Sequence, residues 1–269
     1  MKTILITGST DGIGKLAAIQ LAKEGPTNYL HGRNFDKLQR VIAEVQDATT
    51  NKNIDGFVAD FSDINAVKQM ANKILEKVSK IDILINNVGI FKTSTTSGSK
   101  GFDVRLVVNY FAPYVLTNTI LPLLKKSQNP RIVNLSSAAQ AHVTDAALAG
   151  HDIRIASEAY AQSKLALTMW SFAFAKAHPD ITTIAVNPGS LLNTRMANEA
   201  YGQHWSPATK GSDILYDLAI SEAYKDSSGS YFDNDKGDPK GTFAKAHPDA
   251  YDETKIAKLL DATAKILKS

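Results

Sequence analysis

The sequence predicts an α/β protein built on one doubly wound parallel sheet of about seven strands, with helices on both faces. Three observations lead there. Short apolar runs alternate with longer segments of helical period, the pattern of a parallel sheet covered by helices. The 269 residues suffice for one large domain, and no low-complexity linker divides them. A glycine-rich turn follows the first apolar run and opens a helix-period segment.

Taken in order, Thr3–Thr7 reads as the first strand. Ile13–Glu24 is the first helix, with Leu16, Ala17, Ile19 and Ala22 in helical spacing and a stop at Gly25-Pro26. Asn28–Gly32 is the second strand, Asp36–Ala48 its helix, Gly56–Ala59 the third strand and Ile64–Lys80 the helix after it. Ile81–Ile85 is the clearest strand and runs into Asn86-Asn87. A helix over Phe102–Leu124, strand Arg131–Leu135, a loop to Ala156, helix Ser157–Ala177 and strand Thr182–Val186 follow. Between Ser190 and Asp252 the pattern loosens as Gly, Pro, Ser and Asp accumulate, and a short helix over Glu253–Leu267 ends the chain. The whole chain is read as one domain, with 190–252 as a segment covering the substrate. The word Phe-Ala-Lys-Ala-His-Pro-Asp occurs at 174–180 and again at 243–249, but its flanks differ, so no repeat architecture is expected.

Composition excludes several functions. With no cysteine there are no disulfides, thiolate metal sites or cysteine nucleophiles. Net charge is +3, but the basic residues are scattered and the longest basic run is Lys125-Lys126, so neither a nucleic-acid surface nor an anionic-membrane anchor is expected. The apolar start of the chain is too short for a signal peptide, and no uninterrupted apolar run approaches the roughly 20 residues of a membrane span. A cytoplasmic location is expected.

Thr7-Gly8-Ser9-Thr10-Asp11-Gly12-Ile13-Gly14 lies where the first strand hands over to the first helix. Glycines there permit a tight turn and close approach of backbone to a pyrophosphate, and the helix N-terminus offers unpaired N–H groups to it. NAD sites place a carboxylate at the end of the second strand for the ribose 2′-hydroxyl. Here Leu30-His31-Gly32-Arg33-Asn34 has none, and Arg33 presents a cationic fork suited to a 2′-phosphate. NADP is therefore expected over NAD. Asp36 is assigned to the first turn of the next helix.

Tyr160 and Lys164 are four apart and share a helix face. A free phenol titrates near about 10, and a neighbouring ammonium favours its ionised form. Ser136-Ser137 directly follows strand Arg131–Leu135, at the carboxyl edge where open α/β sheets bind ligands, and a serine there can polarise a carbonyl. Asn87-Val88-Gly89 closes the preceding strand and lets backbone approach a cofactor. Asn109, inside the apolar Val107–Phe111 stretch, needs partners or has a task.

On these residues the chain resembles the short-chain dehydrogenase/reductase superfamily over nearly its whole length. Thr7–Gly14 is similar to its T-G-x-x-x-G-x-G loop, Asn86–Gly89 to its N-N-A-G turn with Val88 in place of alanine, and Tyr160–Lys164 to its Y-x-x-x-K pair. The resemblance implies a Rossmann-like fold and catalytic roles for Asn109, Ser137, Tyr160 and Lys164, with Ser137 rather than Ser136 at the serine position. It implies adenine contact at Asp60, with Phe61 beside it, and a nicotinamide-facing loop at Pro188-Gly189 with Thr194 one residue late. The segment Ala138–Ala156 between Ser137 and Tyr160 is longer than is usual in the family. With Gly12–Lys15 and Ser228–Phe232, it resembles the retinol-dehydrogenase-like branch.

The resemblance implies an NADP(H)-dependent oxidoreductase that interconverts an aldehyde or ketone with an alcohol, acts on a small molecule and forms a homodimer or homotetramer. No membrane partner is expected, because the chain opens directly on its first strand. A non-catalytic NADPH-binding regulator and an NAD-dependent epimerase or dehydratase are the rival readings. The complete Ser137–Tyr160–Lys164 set speaks against the first, and the missing carboxylate at Gly32 against the second. His142, Asp145, His151 and Asp152 as metal ligands are set aside, since the expected chemistry needs no metal. Tyr201, Trp205, Tyr231 and Phe232 are candidates for an apolar pocket wall or, equally, for core packing, with His204-Trp205 on a mobile cover.

Overall fold

The computed structural model describes residues 1–151, 155–237 and 239–268, without the side chains of Ala200 and Tyr201. Among these residues the sheet has eight strands in the order β3-β2-β1-β4-β5-β6-β7-β8. Strands β1 (Thr3–Ile6), β2 (Thr27–Gly32), β3 (Ile54–Val58), β4 (Ile83–Asn86), β5 (Arg131–Leu135), β6 (Thr182–Asn187) and β7 (Ser230–Asp233) pair in parallel. The eighth, β8 (Thr242–Ala244), joins the edge antiparallel, with Tyr231 opposite Ala244. The expected count of seven falls one short because β8 is three residues long and lies where the sequence pattern is loosest.

Strand order reverses between β1 and β4, and an open sheet forms its ligand crevice outside the strand carboxyl ends at that point. Helices α1 (Gly12–Ala22), α2 (Phe35–Thr49) and α9 (Ala208–Ile220) cover one face around Leu5's neighbours Ile4 and Ile6, Leu30 and Ile85. Helices α3 (Ile64–Lys77), α5 (Ala112–Leu124) and α7 (Ala156–Ala177) cover the other, around Leu84, Ile132 and Trp170, and α10 (Glu253–Lys268) adds Leu259 to that side. Strand residues feed both clusters, which is why they read as continuous apolar runs rather than alternating ones.

Three local differences from the expectation have physical causes. The segment 190–252 contains not only loop but α8 (Arg195–Tyr201), α9, β7 and β8. Helix α9 is obscured by Gly211, yet a Cβ there would stand 2.5 Å from Leu192 Cδ1, so close packing explains the glycine. The loop after β5 holds a short helix, α6 (Asp145–Leu148), capped by Thr144; its residues Asp152 and Arg154 lie outside the described residues.

The third concerns the helix around Asn109. It starts with α4 (Val104–Leu106), widens into a π-helical turn over Val107–Phe111, and continues as α5. Pro113 has no N–H to give to the Asn109 carbonyl four residues back, and Ala112 N–H donates to Val107 O instead. The combined helix Val104–Leu124 has 21 residues and a mean hydropathy of 1.3, so by length and composition it could cross a membrane, contrary to the expectation from uninterrupted runs. Its apolar window is 72% buried inside the protein, as suits a core helix.

Candidate active site

The glycine loop is shaped by contacts that only glycine allows. Gly8 and Gly12 have φ of 65° and 53°, in the left-handed region. A Cβ on Gly14 would lie 2.3 Å from Asn87 Nδ2 and 2.4 Å from Gly8 O. Asn87 uses that proximity: Nδ2 donates to Thr7 O and Gly8 O, both at 2.9 Å, and its backbone N–H donates to Thr7 Oγ1 at 3.0 Å. The turn after β4 is thereby strapped to the loop after β1. Asp11 caps α1, accepting from Gly12 N at 2.9 Å.

One cleft of about 1020 Å³ runs from this loop to Tyr160. Along it stand Gly8, Thr10, Gly12, Ile13, Gly14 and Arg33, then Asp60 and Phe61, then Asn87, Val88 and Gly89. Ser137, Tyr160, Lys164, Pro188, Gly189 and Thr194 complete the set at its other end. Three expected residues do not line it. Ser9 is buried, its hydroxyl donating to Ile6 O and accepting from His31 N–H. Asn34 is the N-cap of α2, accepting from Lys37 N at 2.8 Å. Asn109 is buried in the π turn.

At the outer end Arg33 is exposed, and its guanidinium has no hydrogen bond or ion pair among the described residues. Lys37 also lines the cleft, its ammonium 2.8 Å from Asp11. Asp60 accepts from the Ser62 N–H and hydroxyl. His31 was not anticipated from the sequence. Its Nδ1 accepts from Gly8 N–H at 3.0 Å and its Nε2 donates to Ala59 O at 3.0 Å, while its ring lies 4.4 Å from that of Phe61. Both partners demand the neutral ring, and burial pushes its pKa down to about 4. No periodicity or spacing rule singles out a histidine inside a strand, so nothing in the chain could have announced it.

At the inner end α7 carries Tyr160 and Lys164. Lys164 is 3% exposed; its Nζ donates to Leu135 O at 2.7 Å and lies 5.6 Å from the Tyr160 ring centroid. Phe91 meets the Tyr160 ring edge-to-face at 4.9 Å. Ser136 is buried against Thr168, 2.6 Å between hydroxyls, whereas Ser137 faces the cleft. Asn109 receives Ile90 N–H at Oδ1 and donates from Nδ2 to Ile90 O and Ser163 Oγ, and Ser163 in turn donates to Tyr160 O. Its amide thus ties the β4 turn to the Tyr160 helix.

Burial lowers the Lys164 pKa to about 7. The folded value lies below the unfolded one, so the unfolded chain binds more protons between about pH 7 and 10.5 and folding stability rises with pH through that window. Replacing the lysine with Lys164→Met removes the buried ammonium while keeping bulk. The variant without cofactor is expected to melt above the wild type at pH 7, by up to several kcal/mol of stability, with the gain shrinking towards pH 10. Thermal unfolding of both proteins across that range checks it; a gap independent of pH would show that the folded lysine carries its charge without penalty.

A flap, residues 191–206, also lines the cleft. Leu191 O accepts from Trp205 N–H at 3.1 Å, and Leu192 bridges to Ser206, so both ends of the α8 excursion are stitched together. Thr194 is the N-cap of α8 and approaches Gly12, where a Cβ would be 3.7 Å from its Cγ2. Trp205 lines the cleft but is 67% exposed. Tyr231 and Phe232 are buried in β7, Phe232 as part of the core, and do not line the cleft. The side chain of Tyr201 lies outside the described residues. His142 pairs with Asp249 at 2.6 Å and Asp145 with Lys258, so these two residues are engaged by the C-terminal segment.

The short chain dehydrogenase family matches residues 2–204. Among curated proteins, retinol dehydrogenase 13 of Homo sapiens is 29% identical, covering 99% of this chain and 84% of its own. Retinol dehydrogenase 12 of Bos taurus is 30% identical over 87% of this chain and 78% of its own. A protein of Streptomyces sp. (strain C5) named for daunorubicin C-13 ketoreductase, DnrU, is 31% identical over 88% and 85%. Among solved structures, a short chain dehydrogenase of Escherichia coli CFT073 complexed with NADPH superposes with a TM-score of 0.71 at 27% identity, covering 86% of this chain and 95% of that one. The chain therefore belongs to the short-chain dehydrogenase family, in its retinol-dehydrogenase-like branch, and is an oxidoreductase of the alcohol–carbonyl class.

Proposed function

We propose that the protein reduces an aldehyde or ketone with NADPH, or runs the reverse reaction with NADP, using Tyr160 as proton donor and acceptor. The observation that carries this reading is a single cleft with Arg33 at one end and Tyr160 beside a buried Lys164 at the other. The residues fit a dinucleotide. The α1 N-terminus with Gly8, Gly12 and Gly14 suits a pyrophosphate, and Arg33 and Lys37 suit a 2′-phosphate at a strand end that carries no carboxylate. The NADPH complex of the Escherichia coli relative supports the same choice.

A bound nicotinamide supplies the hydride. In reduction the Tyr160 phenol gives its proton to the carbonyl oxygen, and the Ser137 hydroxyl hydrogen-bonds that oxygen as charge develops on it. The Lys164 ammonium favours the phenolate that remains. The resemblance also gives Asn109 a water that relays protons onward; since its amide is occupied by Ile90 and Ser163, that water belongs on its main-chain carbonyl, which Pro113 cannot satisfy. Phe91 beside Tyr160, with Met196 and Trp205 elsewhere along the cleft, supplies apolar surface in keeping with an apolar carbonyl substrate.

The test is NADPH consumption by the purified protein with a panel containing para-nitrobenzaldehyde, all-trans-retinal and a polycyclic aromatic ketone, beside binding of NADPH and NADH. Turnover of at least one carbonyl and NADPH affinity at least about tenfold above that for NADH are expected. Equal affinities overturn the cofactor choice, and no turnover across the panel overturns the reaction.

A further inference from the structure

Ser137 sits on a chain segment with no regular structure of its own, yet its carbonyl oxygen is held from two directions. Tyr231 on β7 donates its hydroxyl to Ser137 O at 2.9 Å, and Gln140 Nε2 donates to the same oxygen at 2.9 Å. Gln140 is itself fixed, its Oε1 accepting from His247 N–H at 3.3 Å. Two residues further on, His142 meets Asp249 at 2.6 Å, and Lys255 holds the other oxygen of that carboxylate. Tyr231, His247 and Asp249 all lie beyond residue 204, where the family match ends.

The Tyr231 ring is buried and its phenol is pushed up by burial, so its hydroxyl stays protonated and remains a donor across the working pH range. A carbonyl oxygen has two lone pairs, and the Ser137 oxygen has both filled. The Ser137 Oγ is restrained too, accepting from Ala139 N–H at 3.1 Å. Positions of groups that meet reacting atoms matter on this scale, because a displacement of about 1 Å can cost about a hundredfold in rate.

We infer that Tyr231, with Gln140, is a positioning residue that acts through the Ser137 carbonyl to aim the Ser137 hydroxyl into the cleft. The clamp ties the carbonyl-facing loop to β7 and, through Gln140 and His142, to the 246–251 segment. This rests on Ser137 being the hydroxyl that faces the substrate oxygen.

The experiment uses the full chain with NADPH and the panel aldehyde of fastest turnover. Tyr231→Phe deletes one hydroxyl and leaves the ring. Its kcat should fall about tenfold or more, while the KM for NADPH and the unfolding temperature stay close to the wild type. In a Ser137→Ala background the same substitution should have little further effect, since a residue acting through Ser137 has nothing left to aim. Undiminished kcat in Tyr231→Phe, or losses that multiply in the double variant, overturn the inference. Undiminished kcat in Ser137→Ala overturns instead the reading of the site. A measurement independent of turnover comes from crystals of both proteins: a Ser137 loop unmoved in Tyr231→Phe also overturns the clamp.

Discussion

Tyr160→Phe is expected to lower kcat by about a hundredfold to ten-thousandfold while leaving NADPH binding within about twofold of the wild type. The substitution removes one oxygen. The ring keeps its edge-to-face contact with Phe91, and Lys164 keeps its bond to Leu135 O, so neither the packing nor the cleft needs to change. What is lost is the proton delivered to the carbonyl oxygen. Steady-state rates and fluorescence titration of NADPH separate the two effects. If the variant turns over at the wild-type rate, Tyr160 is not the donor. If it loses cofactor affinity in the same proportion, the phenol serves binding rather than chemistry.

The second large effect is expected at the opposite end of the cleft. Arg33→Ala should weaken NADPH binding by about tenfold to a hundredfold and leave NADH nearly unchanged, the range set by charge-assisted hydrogen bonds to a phosphate. The site is exposed, so the loss should shrink as salt rises. Lys37 keeps a residual preference for the phosphorylated cofactor, because its ammonium can exchange Asp11 for phosphate. Titrations of both nucleotides at low and high ionic strength give the result. An equal loss for NADPH and NADH would mean that Arg33 supports the fold of the loop and reads nothing at the 2′-position.

Much of this candidate site is legible in the sequence because its residues are concentrated at strand ends, and strand ends are marked by local sequence. Gly8, Gly12 and Gly14 announce a turn that only glycine can make. Tyr160 and Lys164 announce a shared helix face by their spacing. Arg33 announces itself by what is missing beside it. Less legible were residues whose meaning depends on which hydrogen bonds their side chains make in the fold. His31 looks like any strand residue until Gly8 N–H and Ala59 O are placed on its two nitrogens. Ser9 and Asn34 sit in motifs that suggest ligand contact, yet local hydrogen bonds to Ile6 and Lys37 claim their side chains. Asn109 was expected in a catalytic role, and only the folded chain shows that its amide joins Ile90 to Ser163.

The seven-residue word shared by 174–180 and 243–249 separates the two kinds of information. At its first occurrence, Phe174–Ala177 ends helix α7, with Phe174 buried against Trp170 and His178 N–H closing on Phe174 O. At its second, Phe243 and Ala244 form β8 against β7, His247 caps the turn Pro248–Tyr251, and His247 N–H and the Asp249 carboxylate reach Gln140 and His142. Identical side chains have identical propensities, so the difference comes from what each copy meets: a helix already propagating through Ala156–Phe172, or an open sheet edge. Sequence alone determined the α/β class, the glycine-rich loop after the first strand and the shared helix face of Tyr160 and Lys164, because each is written within a short stretch of chain. Tertiary contact decided the eighth strand, the neutral His31 and the hold on Ser137, because each depends on hydrogen bonds between separate segments that local residue pattern does not announce.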